Sequence, residues 1–337
     1  MAELDYQRRL SNLQGRRFDS ALNESLVTKL FSDTSIPESL RYLVESMKPI
    51  PKKTTDKTWE AAERVQKHLE GRFNLAFNRA YRPQGSVMSD THIKVSDCDF
   101  LTIIDSYYYR GRDVPSGNPY KGDPVADITL LREQAVKILK NTYDHVDDSH
   151  NKCISIINKA LNRKVDIVFG YWYNTKIYHD SKEEYYRGIK FSANQPVADF
   201  PFAHIWKVNQ KGDETNDGSR MGIRLLKTLK DDCENSLNEL TSFHLTTIVH
   251  SIDNRLLLFK PGSELQIAKA ISAQLQTLMG DPTYRKNIKS PNGIEYPLES
   301  DKLIPNLKII KSELDSLVDT TDQFAKNSHL SHKFQNN

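Results

Sequence analysis

The chain has 337 residues, 38% of them hydrophobic and 27% charged, and 47 Lys and Arg against 44 Asp and Glu leave a formal charge of +3. Acids and bases are interspersed, which argues against a dedicated nucleic-acid track, and no window approaches the ~18 apolar residues of a membrane span. Cys98, Cys153 and Cys233 lie far apart with no Cys-x-x-Cys pair, which argues against a structural zinc site and a disulfide framework.

The N-terminus lacks a basic flank followed by an apolar run, so a cytoplasmic location is expected. Leu22, Leu26 and Leu30 recur at four, and Leu40, Leu43 and Met47 at three and four, which predicts helical pieces before the Pro49 and Pro51 break. From Thr55 or Asp56 a long helix is predicted, with Trp59, Ala62, Val65, Leu69, Phe73, Ala76 and Ala80 as its buried stripe. Pro83 is expected to end it, just before a Gly85-Ser86 turn.

Asp97-Cys98-Asp99 then heads an apolar run, Phe100 to Ile104, that reads as a strand. A loop rich in Tyr, Gly and Pro follows over 107–124, then a helix over 125–143 and a charged turn over 144–151. Strands are predicted over 153–157 and 165–169, and a hairpin over 171–179 and 185–191 around Asp180 to Glu184. Pro196, Pro201, Gly212 and Gly218 make 192–218 a loop. Helices follow over 219–231, 237–252, 263–279 and 306–324, with a polar tail from 326 to 337.

The expected architecture is α+β: N-terminal helices (1–54), a mixed-sheet core (55–215), a C-terminal helical lobe (216–325) and the tail (326–337). The N-terminal helices are expected to pack on the helical lobe, and small ligands commonly sit in the cleft between two lobes.

Successive side chains of a strand point to opposite faces, so Asp97 and Asp99 share one face, about 7 Å apart at Cα, and Cys98 points the other way. Asp166 stands inside the apolar run Val165 to Phe169, where an aspartate is disfavoured and costly to bury unpaired. An ion pair or a place at the sheet edge would explain it, and so would a metal ion. Three carboxylates suit Mg²⁺, and two ions about 3.5–4 Å apart would stabilise both oxygens of an in-line phosphoryl displacement. That chemistry is mostly positioning and charge neutralisation, and it needs no His or Cys nucleophile. A Gly-Ser turn can offer N–H groups and a hydroxyl to phosphate. Arg220, Arg224 and Lys227 share a helix face at spacings of four and three. Lys227 and Ser242 could take phosphate oxygens and Phe243 could stack on a base. A solvated basic face and a buried phenylalanine fit the same spacing.

Gly85-Ser86, Asp97-Cys98-Asp99, Asp166, Leu226-Lys227-Thr228-Leu229 and Ser242-Phe243-His244 together resemble the nucleotidyltransferases related to cyclic GMP-AMP synthase, in particular the bacterial CD-NTases of anti-phage CBASS signalling. The resemblance covers about 55–250 by motif order. It implies a two-lobed, polymerase-beta-like fold. It also implies that Asp97, Asp99 and Asp166 hold two Mg²⁺ ions (Mn²⁺ as a substitute), with Asp166 assisting deprotonation of the acceptor hydroxyl. Gly85 and Ser86 would cradle the donor phosphates, with Lys227 and Ser242 closing on the triphosphate. Phe243 stands where a tyrosine commonly stacks on a base. The implied reaction joins nucleoside triphosphates, ATP first among them with GTP or a pyrimidine triphosphate as alternatives, releases pyrophosphate and closes a cyclic di- or trinucleotide. The product would act through a downstream effector. Nothing here matches the zinc-binding thumb of the animal enzyme, so DNA sensing of that kind is not expected. A linear oligonucleotide synthase, an RNA or protein nucleotidyltransferase and a non-catalytic nucleotide-binding scaffold are the alternatives.

Overall fold

The structure, a computed structural model, describes residues 4–17, 36–94, 98–115, 120–151, 153–192 and 198–334. The chain folds as two compact units. One comprises Met1–Ile50, Asp90–Lys94 and Lys207–Asn337, and the other Pro51–Ser89 and Val95–Trp206.

The second unit is a mixed sheet with the helices Lys52–Glu70 and Pro124–Lys140 packed on one face. Helix α1 (Tyr6–Arg17) and helix α2 (Glu38–Met47) belong to the first unit; α3 (Lys52–Glu70) opens the second. It buries Ala61, Ala62, Val65 and Leu69, and its last turn is closed by the Gly71 N–H donating to the Lys67 carbonyl. The helix therefore does not run to Pro83. Arg79–Gln84 form strand β1, which pairs antiparallel with β2 (Cys98–Arg110), Pro83 lying opposite Phe100. Pro83 is tolerated because β1 is the edge strand, where a missing donor leaves no ladder bond unmade. Phe73, Ala76 and Ala80 matched the helical spacing only by coincidence.

Helix α4 (Pro124–Lys140) starts at Asp123, whose carboxylate accepts the Val125 N–H at 2.9 Å. Strands β3 (Val146–Asp147), β4 (Cys153–Asn158) and β5 (Arg163–Asn174) complete the order β1-β2-β5-β4-β3. Strand β2 lies parallel to β5, while β4 is antiparallel to it. The strand predicted over 165–169 is thus twelve residues long. Its far half pairs with β6 (Gly188–Lys190), although the connection is a short helix α5 (Lys176–Ser181) and a 3₁₀ turn rather than a tight hairpin. Strand alternation sorts the sheet into two faces. Cys98, Phe100, Ile104, Val165, Ile167 and Phe169 pack with Leu69, Leu131, Ala135 and Leu139. Leu101, Ile103, Trp172 and Ile189 form a smaller core.

The predicted loop over 192–218 holds a helix, α6 (Pro201–Glu214). Pro201 is its first residue, where the missing N–H has no intrahelical partner to lose. In the first unit α7 (Gly218–Asp232) is buried on nearly every side. Around it stand α8 (Ser242–His250), α9 (Asn254–Leu257), α10 (Glu264–Gly280), α11 (Pro282–Lys286) and α12 (Ile304–Phe334). Leu10, Leu13, Tyr42, Leu43 and Met47 of α1 and α2 join Leu225, Leu226, Leu229, Ile271 and Leu314 in one core. At the end of α7, Asp232 accepts two 2.8 Å bonds from Arg16 and one from the Tyr42 hydroxyl, also 2.8 Å. The helix expected at Leu22 to Leu30 lies outside the described residues. Among the described residues, no helix is long and apolar enough to cross a membrane.

Candidate active site

Four strands place Gln84, Asp99, Asp166 and Ser155 side by side in a single transverse row. Residues opposite one another in register share a face, so this row lies on the side of the sheet turned away from Cys98 and Phe100. Asp99 and Asp166 come from parallel neighbours, whose backbones run about 4.8 Å apart. Both carboxylates are half-buried. Asp97 lies outside the described residues. Among the described residues no group of three or more His, Cys, Asp or Glu side chains is poised to hold a metal ion; the carboxylate pair of Asp99 and Asp166 does stand together.

Asp166 is held from two sides. The Ser155 hydroxyl donates to Oδ1, and the Lys164 ammonium lies 2.8 Å from Oδ2. Lys164 precedes Asp166 by two residues on β5 and therefore shares its face. Sequence reasoning missed both partners. The two-residue spacing could have revealed Lys164; Ser155 depends on strand pairing.

Gly85 follows Gln84 directly, at the end of β1 that pairs with Asp99. Its φ of +88° is in the left-handed region, and a Cβ there would collide with the Asp99 carboxylate. The Gly85 carbonyl accepts the Met88 N–H at 3.1 Å, which folds Ser86 into the same turn. The Gly-Ser turn thus abuts the acidic row at the end of a strand, not at the end of a helix. Cys98, on the opposite face, is fully buried, and burial pushes its thiol up to about 12, so it is inert as a nucleophile.

A hard-cation site fits this donor set. Two carboxylates in register offer oxygen ligands, the absent Cβ of Gly85 leaves room beside Asp99, and the Lys164 ammonium that now pairs with Asp166 would have to give way to a cation there. A cavity of about 860 Å³ elsewhere in the same unit is lined by Arg132, Phe169, Phe191 and Asp199 among others, and by none of the acidic row.

The remaining expected residues belong to the helical unit. Lys227 is buried, and its Nζ donates to the Thr91 carbonyl at 2.9 Å and lies 3.4 Å from Thr91 Oγ1. Burial pushes its ammonium down to about 8. Arg220 pairs with Asp213 at 2.7 Å, so the basic face is not simply solvated. Ser242 is the exposed first residue of α8, and Phe243 is half-buried beside it. Thr241 caps that helix: its N–H donates to His244 Nδ1 at 2.9 Å, completing a capping box, which makes His244 structural.

His92 sits beside these cations. Burial first, then Lys227 and Arg224, pushes its imidazole down to about 4, while the Asp90 carboxylate is 3.9 Å away. An unfolded histidine titrates near 6.5, so between the two values the unfolded chain binds more protons. Stability present above about pH 6.5 is therefore lost as pH falls towards about 4, by up to about 3 kcal/mol. His92→Asn is expected to remove that component. Denaturant unfolding of both proteins at about pH 7 and about pH 4.5 checks it, and equal losses in the two would contradict a neutral buried imidazole.

No family model matches the chain. A c-di-GMP synthase of a Lachnospiraceae bacterium is 33% identical over 285 residues, covering 75% of this chain and 80% of that one. The cyclic dinucleotide synthase CdnE of Yersinia aleksiciae is 32% identical over 291 residues, covering 83% and 76%. Among solved structures, the STING-associated CdnE c-di-GMP synthase of Capnocytophaga granulosa superposes with a TM-score of 0.80 at 29% identity, covering 95% of this chain and 100% of that one. The ordered motifs, the sheet that aligns Asp99 with Asp166, and these relatives agree: the chain belongs to the CD-NTase family of CBASS nucleotidyltransferases, which build cyclic oligonucleotide second messengers.

Proposed function

We propose that this chain is a divalent-cation-dependent synthase of a cyclic dinucleotide, with GTP as its first substrate. The register of Asp99 with Asp166 beside the Gly85 turn carries the catalytic part of this reading. The guanine part is supported by the c-di-GMP synthases of a Lachnospiraceae bacterium and Capnocytophaga granulosa. ATP and the pyrimidine triphosphates are the alternative substrates. The in-register pair of Asp99 and Asp166 favours catalysis over a nucleotide-binding scaffold, since paired carboxylates cost stability without a cation to use them.

Asp97, Asp99 and Asp166 would hold Mg²⁺, or Mn²⁺ in its place. The bound cations would supply charge neutralisation for an in-line displacement at the α-phosphate. Gly85 and Ser86 would present N–H groups and a hydroxyl to the donor's outer phosphates. Lys227, on releasing the Thr91 carbonyl, and Ser242 would engage triphosphate oxygens, and Phe243 would stack on a base. Asp166 would assist removal of the acceptor hydroxyl's proton. That oxygen bonds to the α-phosphorus as the bond to pyrophosphate breaks, and a second transfer closes the ring. Similarity to the STING-associated synthase of Capnocytophaga granulosa supports a STING-type effector for the product.

The test is incubation of the purified protein with each triphosphate, alone and in pairs, with Mg²⁺ or Mn²⁺ and with a chelator. The expected result is a phosphatase-resistant cyclic product from GTP, lost on chelation. A product keeping a free triphosphate end would favour the linear synthases. A cyclic product only when GTP is absent would overturn the guanine assignment.

A further inference from the structure

The segment Asp90–Lys94 follows the Gly85-Ser86 turn and precedes the strand that carries Asp99 in sequence, yet it belongs to the helical unit. Two cations of α7 hold its backbone. Arg224 is fully buried. Its Nε donates to the Met47 carbonyl at 2.6 Å, its Nη1 to the Asp90 carbonyl at 2.6 Å, and its Nη2 pairs with the Asp217 carboxylate. Almost one turn further on, Lys227 holds the next carbonyl, that of Thr91. Asp90 itself has a φ of +50°, so the chain bends sharply where it is gripped.

A buried guanidinium is tolerated only when its donors find partners, and here its three nitrogens bond three separate groups. Its planar fork fixes the directions of these bonds, which a lysine's single ammonium cannot reproduce. Two of the acceptors are main-chain carbonyls, so what Arg224 fixes is the path of the backbone. That path begins directly where the Gly85-Ser86 turn ends.

We propose that Arg224 is a positioning residue for nucleotidyl transfer: through the Asp90 carbonyl it fixes the loop that leaves the Gly85-Ser86 turn. It acts through that loop and not on substrate. The inference rests on the acidic row being the catalytic site.

The test compares Arg224→Met, Arg224→Lys and Asp90→Asn in the full chain. In Arg224→Met, kcat per folded molecule is expected to fall about 100-fold, because small displacements of reacting groups are that costly. KM for nucleotide is expected to rise by less than kcat falls, because the Gly85-Ser86 turn that would hold the donor phosphates is loosened with the loop. Amide hydrogen exchange over 85–99 is expected to accelerate about tenfold while the core of α10 is unchanged. Arg224→Lys, which can keep one carbonyl bond, recovers part of kcat. Asp90→Asn keeps the carbonyl and tolerates the backbone angle, so it retains near-normal kcat. A lower melting temperature with normal kcat per folded molecule, or exchange that rises uniformly, would overturn the proposal. Should Arg224→Met fail to fold, Arg224→Lys and the exchange measurement decide it. Inactive wild-type protein with locally faster exchange in the variant would instead indict the catalytic reading alone.

Discussion

Asp166→Asn is expected to lower turnover on the order of 10³-fold, the scale on which a preorganised charge at a reacting centre matters, and Asp99→Asn to do the same. Asparagine keeps the shape of either side chain and its place in the row, but not its charge. The two carboxylates face one another across parallel strands, so without a divalent cation they repel, and Lys164 offsets the charge of Asp166 in part. Each variant should therefore be at least as stable as the wild type in a chelator. With Mg²⁺ or Mn²⁺ the order reverses. A ligand at 100 times its Kd stabilises the folded state by about 2.7 kcal/mol. The wild type should show such a rise in melting temperature, and Asp166→Asn should lose most of it. Loss of product with an undiminished cation-induced shift in Asp166→Asn would remove that residue from the proposed cation site.

Gly85→Ala is the second large effect, with activity expected to fall about 100-fold through misplacement at the reacting centre. Two costs combine at this position. An L-residue at φ +88° is strained by about 1 kcal/mol or more, and the added methyl meets the Asp99 carboxylate. Gly262 separates the two. Its φ is +87°, but a Cβ there would meet nothing within 4 Å. Gly262→Ala is expected to lose about the same stability through strain while keeping its activity. Equal activity losses in both variants would show that strain alone matters and that the closeness of Gly85 to Asp99 does not.

Much of the fold was legible because local periodicity carried it. The stripes that predicted helices over 125–143, 219–231, 263–279 and 306–324 correspond to α4, α7, α10 and the first part of α12. The predicted strands over 153–157 and 165–169 lie within β4 and β5. Two of the failures share one cause, which is that punctuation residues were read without their context. Pro83 looked like a helix stop but sits in an edge strand, and Pro201 looked like loop but begins a helix. Neither residue type specifies its setting until its neighbours are known.

From sequence, the period of two placed Asp99 and Cys98 on opposite faces, and the apolar surroundings of Asp166 marked it as needing an explanation. Only the tertiary structure decided that β2 lies parallel to β5 with Asp99 opposite Asp166, that Ser155 and Lys164 flank the pair, and that Gly85 abuts it. It also decided that Arg224 and Lys227 grip the backbone at Asp90 and Thr91. The reason is the range of the forces involved. Backbone geometry sets which way neighbouring side chains point, whereas pairing of distant strands is chosen by the burial of whole faces, which no short stretch of chain encodes.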